Sequence, residues 1–90
     1  MRRYHQPAAV EFDEGCQPVR FTAWSRTYVV AEEVEYWEEL LPWWTSENLG
    51  ADLEELTVRH LRIRANGPQR SAVVELVQRA GEWFVEGVED

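Results

Sequence analysis

The feature that most constrains this chain is apolar alternation with a period of two, repeated in short runs between turn signals. Successive side chains of an extended strand point to opposite faces, so each run can bury one side and leave the other wet. Pro18 opens one such run, in which Val19, Phe21 and Ala23 alternate with Arg20, Thr22 and Trp24. From Thr57 onward Leu61, Ile63 and Ala65 alternate with His60, Arg62 and Arg64. Within residues 71–78, Val74 and Leu76 oppose Val73, Glu75 and Val77. Weaker runs lie at each end: Val10 and Phe12 share a face in residues 8–12, and Trp83 and Val85 share one in residues 83–88. The punctuation between them is Asp13-Glu14-Gly15, a tight hairpin turn at Ser25-Arg26, Asn66-Gly67-Pro68 and Arg79-Ala80-Gly81.

Residues 27–41 admit two readings. Tyr28, Val30 and Val34 suit a strand whose face shifts near Glu32-Glu33, whereas Val34, Trp37, Leu40 and Leu41 also fit one face of an amphipathic helix. The β-branched residues and the tyrosine of the first half favour a long strand with a bulge. Pro42 ends it. A loop with a short helical turn is expected as an insertion over residues 38–56, with Asn48-Leu49-Gly50 as its turn signal. The sum is about six short strands. The expected fold is mainly β, a small antiparallel barrel or a strongly bent sheet, in a single small domain over residues 1–90. Closure suits so short a chain because it removes exposed edges.

Composition narrows the class further. Five tryptophans and 44% hydrophobic residues in a 90-residue chain exclude a disordered segment. No apolar run reaches the length of a membrane-spanning helix, and the start lacks the apolar stretch of a signal peptide. Cys16 is the one cysteine and has no internal disulfide partner, so a reducing, cytoplasmic location is expected. All nine basic residues are arginine, each a permanently charged planar fork. Charge is segregated along the chain. Residues 32–55 hold nine acids and no base, and residues 56–81 hold five arginines against Glu75. These two stretches can neutralise each other in the fold, or stand apart as patches that steer a partner.

Chemistry-bearing patterns are absent. His5, Cys16 and His60 are isolated and lack metal-ligand spacing, so neither a metal nor another cofactor is expected. The five glycines are scattered at turns and form no phosphate-binding loop. A nucleophile beside a histidine and an orienting acid is not indicated, and an enzyme is not expected.

Four stretches carry a likeness to a known family. They are Gly15-Cys16-Gln17-Pro18-Val19-Arg20-Phe21, Arg26-Thr27-Tyr28-Val29-Val30, the Trp43-Trp44 pair, and Leu61-Arg62-Ile63-Arg64-Ala65 with Val74-Glu75-Leu76 and Trp83. In these the chain resembles a small bacterial domain of unknown function found alone in Actinobacteria and the Deinococcus–Thermus group. A related domain sits at the C-terminus of the inactive Y-family-polymerase-like subunit of the bacterial mutasome. The chain departs from that pattern at Ala23, Trp24 and Ser25, and in a longer insertion around residues 46–55. The resemblance supplies no catalytic residue. It implies a stand-alone module associated with DNA-damage tolerance.

Two groups of residues could carry function. Trp37, Trp43 and Trp44, flanked by Glu38 and Glu39, form an aromatic and acidic group suited to a protein partner, because tryptophan buries much area with few rotors. Adjacent Trp43 and Trp44 cannot both point inward from one extended segment, so at least one is exposed or covers an opening of the core. The second group is Arg59, His60, Arg62 and Arg64, a basic row about 13 Å long over its alternating part. It suits either cross-strand pairing with Glu33, Glu35 or Glu75, or stacking and phosphate contact with single-stranded nucleic acid. The net charge of −8 opposes the latter. The expected function is therefore a non-catalytic protein–protein interaction module, self-association included, with single-strand nucleic-acid binding as the alternative and no membrane role.

Overall fold

The computed structural model describes residues 1–67 and 70–89. Six strands follow one another as β1 (Arg2–Phe12), β2 (Pro18–Ala23), β3 (Arg26–Leu40), β4 (Thr57–Asn66), β5 (Ser71–Arg79) and β6 (Glu82–Glu89). A four-residue helix, α1 (Leu53–Leu56), precedes β4. Each strand pairs antiparallel with its chain neighbour, and β1 also pairs with β6, so one sheet closes on itself. The mainly β, ring-closing architecture expected from the alternation is the one observed. No helix among the described residues is long and apolar enough to cross a membrane.

The core follows the period-two rule. Phe21 and Ala23 of β2, Leu61, Ile63 and Ala65 of β4, Val74 and Leu76 of β5 and Val85 of β6 form one buried cluster. Tyr28 stacks on Phe21 with ring centroids 5.0 Å apart and ties β3 into it. Leu56, Val58 and Val77 are also buried, outside that cluster. Asp52 caps α1, its side chain accepting the Glu55 N–H at 2.9 Å.

β3 settles the choice between strand and helix. It is extended for 15 residues, with register shifts between Val30 and Glu32 and between Glu33 and Glu35. In this register Glu32, Glu35 and Glu38 lie opposite Arg64, Arg62 and Arg59, a cross-strand match that a helix would forfeit. The strand persists to Leu40, so the segment that leaves the sheet is residues 41–52, followed by α1. The Leu41 N–H still donates to the Leu56 carbonyl at 2.8 Å, closing the base of the insertion.

Two local expectations are corrected. The β2–β3 turn is centred on Trp24 and Ser25 rather than on Ser25-Arg26, because Ala23 pairs with Arg26. Both turn residues have positive φ, 52° and 60°, the backbone that matches a hairpin's twist. β1 also begins at Arg2, well before residues 8–12, and carries Pro7 inside it. Residues 2–8 pair only with β6, and a residue without an N–H is tolerated where one side of the strand has no ladder. Of the Asn66-Gly67-Pro68 turn, Pro68 lies outside the described residues. The Gly67 N–H donates to the Arg70 carbonyl at 2.9 Å.

The molecule measures 47 × 31 × 23 Å with a radius of gyration of 14.1 Å. A compact chain of this length would have roughly 12 Å. The excess reflects long strands around a short one: β2 has six residues, β1 eleven and β3 fifteen.

Candidate functional site

The short β2 leaves part of β3 without a neighbour. β2 pairs with β3 only from Arg26 to Val29. Beyond that point β3 is bonded to β4 alone, and residues 31–40 are all exposed. From Glu35 to Leu40 the β3–β4 register is unbroken, Glu35 opposite Arg62 through Leu40 opposite Thr57. This half-strand therefore presents a regular ladder edge to solvent.

Beside that edge the wall of the ring is open. Where β2 would continue past Pro18 lies a cavity of about 420 Å³. Phe12, Pro18, Tyr36, Leu61 and Trp83 give it apolar walls, and Glu33, Arg59 and Gln78 add polar ones. A second cavity of about 580 Å³ involves Trp24, Arg26, Tyr28 and Val88. Neither takes a wall from His60.

The basic row is held by carboxylates. Arg64 Nε donates to Glu32 at 3.1 Å. Arg62 lies between Glu75, at 2.5 Å, and Glu35, at 3.7 Å, and its guanidinium sits 5.9 Å from the centre of the Trp37 ring. His60 contacts Glu39 at 3.0 Å and stacks on Trp37, rings 4.8 Å apart and nearly parallel. Arg59 has the same parity as Leu61 and reaches over the end of the ring. It holds Glu54 through two hydrogen bonds, 2.7 and 3.1 Å, donates to Gln78 at 2.9 Å and lies 3.5 Å from Glu38. Of the three acids weighed as partners for this row, Glu35 and Glu75 are used and Glu33 is not. Glu32, Glu38, Glu39 and Glu54 complete it.

These contacts shift ionisation in consistent directions. The Arg59 fork, chiefly by hydrogen bonding, holds the Glu54 carboxyl below the ordinary glutamate value, and Glu54 in turn raises Arg59. Glu75 raises Arg62 in the same way. Partial burial lifts the Tyr36 phenol, and its 2.8 Å hydrogen bond to Glu38 lifts it further.

The tryptophans part company. Trp37 lies on the outer face of the sheet, engaged with His60 and Arg62. Trp43 and Trp44 lie in the insertion, 58% and 68% exposed, in an edge-to-face pair with centroids 5.9 Å apart. No ring contact among the described residues joins them to Trp37. Thr45 Oγ1 and Asn48 Nδ2 both donate to the Pro42 carbonyl and fix the turn that carries them. Sequence reasoning missed the cavity beside Pro18 and the place of Arg59 in its lining, though the brevity of the run 18–23 against its neighbours was a usable signal. Among the described residues no three His, Cys, Asp or Glu side chains stand together as a metal site, and Cys16 is exposed in the β1–β2 turn. Comparison with protein-family models, with curated proteins and with solved structures gives no match.

Proposed function

We propose that the protein is a non-catalytic protein–protein interaction module that engages its partner through the Trp43–Trp44 loop and the acidic free half of β3. The observation that carries this reading is where apolar surface is left uncovered. Val34, Tyr36, Trp37, Leu40, Trp43, Trp44, Leu49 and Leu53, eight of the thirteen exposed large apolar side chains among the described residues, fall within residues 34–53. Scattered exposed apolar residues need no explanation, but a run of them that ends in an exposed tryptophan pair supports an interaction surface there. In the complex Trp43 or Trp44 would anchor in a pocket of the partner, while Glu38 and Glu39 set orientation and encounter rate. The association with DNA-damage tolerance rests on the family resemblance alone.

The nucleic-acid alternative draws less support, because Arg59, His60, Arg62 and Arg64 are each engaged by a carboxylate of the same chain. The test is affinity capture from the native organism with the wild type and with the double variant Trp43→Ala, Trp44→Ala. The variant should keep the wild-type unfolding free energy to within about 0.5 kcal/mol, as surface substitutions do, and lose the captured partner. A variant that unfolds would make the pair a cap on the core and end the proposal.

A further inference from the structure

Resting on that reading, we infer that the free half of β3 takes up an extended, basic segment of the partner as an added strand, with one apolar side chain of that segment seated in the cavity beside Pro18. An unpaired strand edge is a template for another chain, and such strand addition is a recurring mode of peptide recognition. Proteins that must keep an edge inert shorten it, bend it with bulges, cover it or charge it, and charge of one sign guards against a like strand while leaving the edge open to one of opposite charge. Here both bulges lie before Glu35, and the stretch from Glu35 to Leu40 is regular, uncovered and flanked by apolar side chains.

The cavity fixes the mode of binding. It lies where β2 would extend along β3, between the chain at Cys16, Gln17 and Pro18 on one side and Glu33 and Tyr36 on the other. A strand laid along β3 fills that gap, and its inward side chain meets Phe12, Leu61 and Trp83. An apolar residue fits these walls. Glu33 lines the same cavity and has no ion pair among the described residues, so a cation two residues from the anchor, on the same face of the added strand, would find a carboxylate.

Charge selects the occupant. A second copy of the chain is the obvious alternative, since strand edges often pair with themselves. Antiparallel self-pairing over all of residues 31–40 would set Glu32 opposite Glu39 and Glu33 opposite Glu38 of the other copy, and pairing over Glu35 to Leu40 alone would still join two chains of net charge −8. Like charges directly opposite are destabilising. Four of the five glutamates in those ten residues already face a base of β4, and the fifth, Glu33, has no ion pair among the described residues and lines the cavity, so a lysine- or arginine-bearing strand is favoured instead.

The test uses the intact protein and synthetic peptides of about ten residues in which threonine alternates with a cavity-facing set of one central valine flanked by lysines. Two further versions carry N-methyl groups on one or the other set of alternate amides, which removes backbone donors along one edge and leaves charge unchanged. A fourth replaces lysine by glutamate. The lysine peptide should bind by calorimetry and shift the NMR amide signals from Glu35 to Leu40. One N-methylated version should bind at least about tenfold more weakly, as loss of several backbone hydrogen bonds requires, and the glutamate version at least about tenfold more weakly at equal ionic strength. The inference falls if neither N-methylated peptide is weakened, if the glutamate peptide binds equally well, if no peptide binds at millimolar concentration, or if sedimentation shows a dimer joined through β3. Repeating the titration with the Trp43→Ala, Trp44→Ala variant separates the two proposals. Unchanged peptide binding leaves strand addition standing whether or not the tryptophan pair proves to be an anchor.

Discussion

Serine and tryptophan are unfavourable at the two positions where the β2–β3 hairpin turns. Both Trp24 and Ser25 have positive φ, where a side chain's Cβ crowds the backbone at a cost of roughly 1–2 kcal/mol. The tight turn was legible in the sequence, but its centre was displaced by one residue because no glycine or asparagine marks it. Ser25→Gly should relieve the strain, less what it adds to the freedom of the unfolded chain. The expected gain is about 0.5–1 kcal/mol, read from the urea midpoint, and a loss would show that the Ser25 side chain holds the turn. Arg59 was legible as a base and not as the group that joins Glu38, Glu54 and Gln78, because those partners come from β3, α1 and β5 and meet only in the fold. Its hold on Glu54 is testable by pH. A carboxyl lowered in the folded state contributes stability that is present above its unfolded value and is lost as pH falls through the lowered one. Arg59→Gln should return Glu54 to the ordinary glutamate range in an NMR carboxyl titration and remove its share of the acid-side loss of stability. An unmoved Glu54 would make the short contact irrelevant in solution. For Tyr36 the sign is opposite: its raised phenol contributes below the ordinary tyrosine value, and that contribution fades as pH rises through the raised one.

Strands that bury one face announce themselves, and strands that bury neither do not. β2, β4 and β5 were readable because Phe21, Leu61, Ile63, Val74 and Leu76 face a common core. The first half of β1 was not, because from Arg2 to His5 every residue is exposed and no alternation is selected. The second half of β3 was ambiguous for the same reason, its residues 31–40 being exposed on both faces. Its glutamates decide the matter only once they are set against the arginines of β4, which is a pairing fact and not a local one. The same geometry predicts how the backbone protects itself. In β4, flanked by β3 and β5, amide hydrogen exchange should be slow throughout. From Glu35 to Leu40 it should alternate, slow for amides bonded to β4 and fast for those facing the open side. Uniform protection across that stretch in a dilute sample would mean that something already covers the edge. Protection that grows with protein concentration would identify the cover as a second copy.

Taken as a whole, the molecule is a polyanion whose cations are largely occupied. The charge segregation seen along the chain ends in juxtaposition, since the acids of β3 lie across from the bases of β4. This was one of the two outcomes the sequence allowed, and only the strand register could choose between them. It bears directly on nucleic acid. To contact a phosphate, Arg59, Arg62 or Arg64 must exchange a carboxylate partner already within 2.5–3.7 Å, while the net charge of −8 repels the incoming backbone. Low salt does not rescue binding here, as it does for a basic protein. At about 0.01 M the screening length is about 30 Å, longer than the 23 Å short axis of the molecule, so the repulsion acts across its whole width. A labelled oligothymidine titrated at low ionic strength should therefore show no saturable binding at micromolar protein. Glu32→Gln with Glu35→Gln should produce at most weak binding, by releasing Arg64 and part of Arg62. Saturable binding by the wild type that weakens with salt, with a log–log slope near −0.7 for each phosphate neutralised, would mean that those ion pairs open on contact. It would restore Arg59, His60, Arg62 and Arg64 as a strand-binding row, and the proposed protein partner would then have a nucleic-acid competitor on the same sheet.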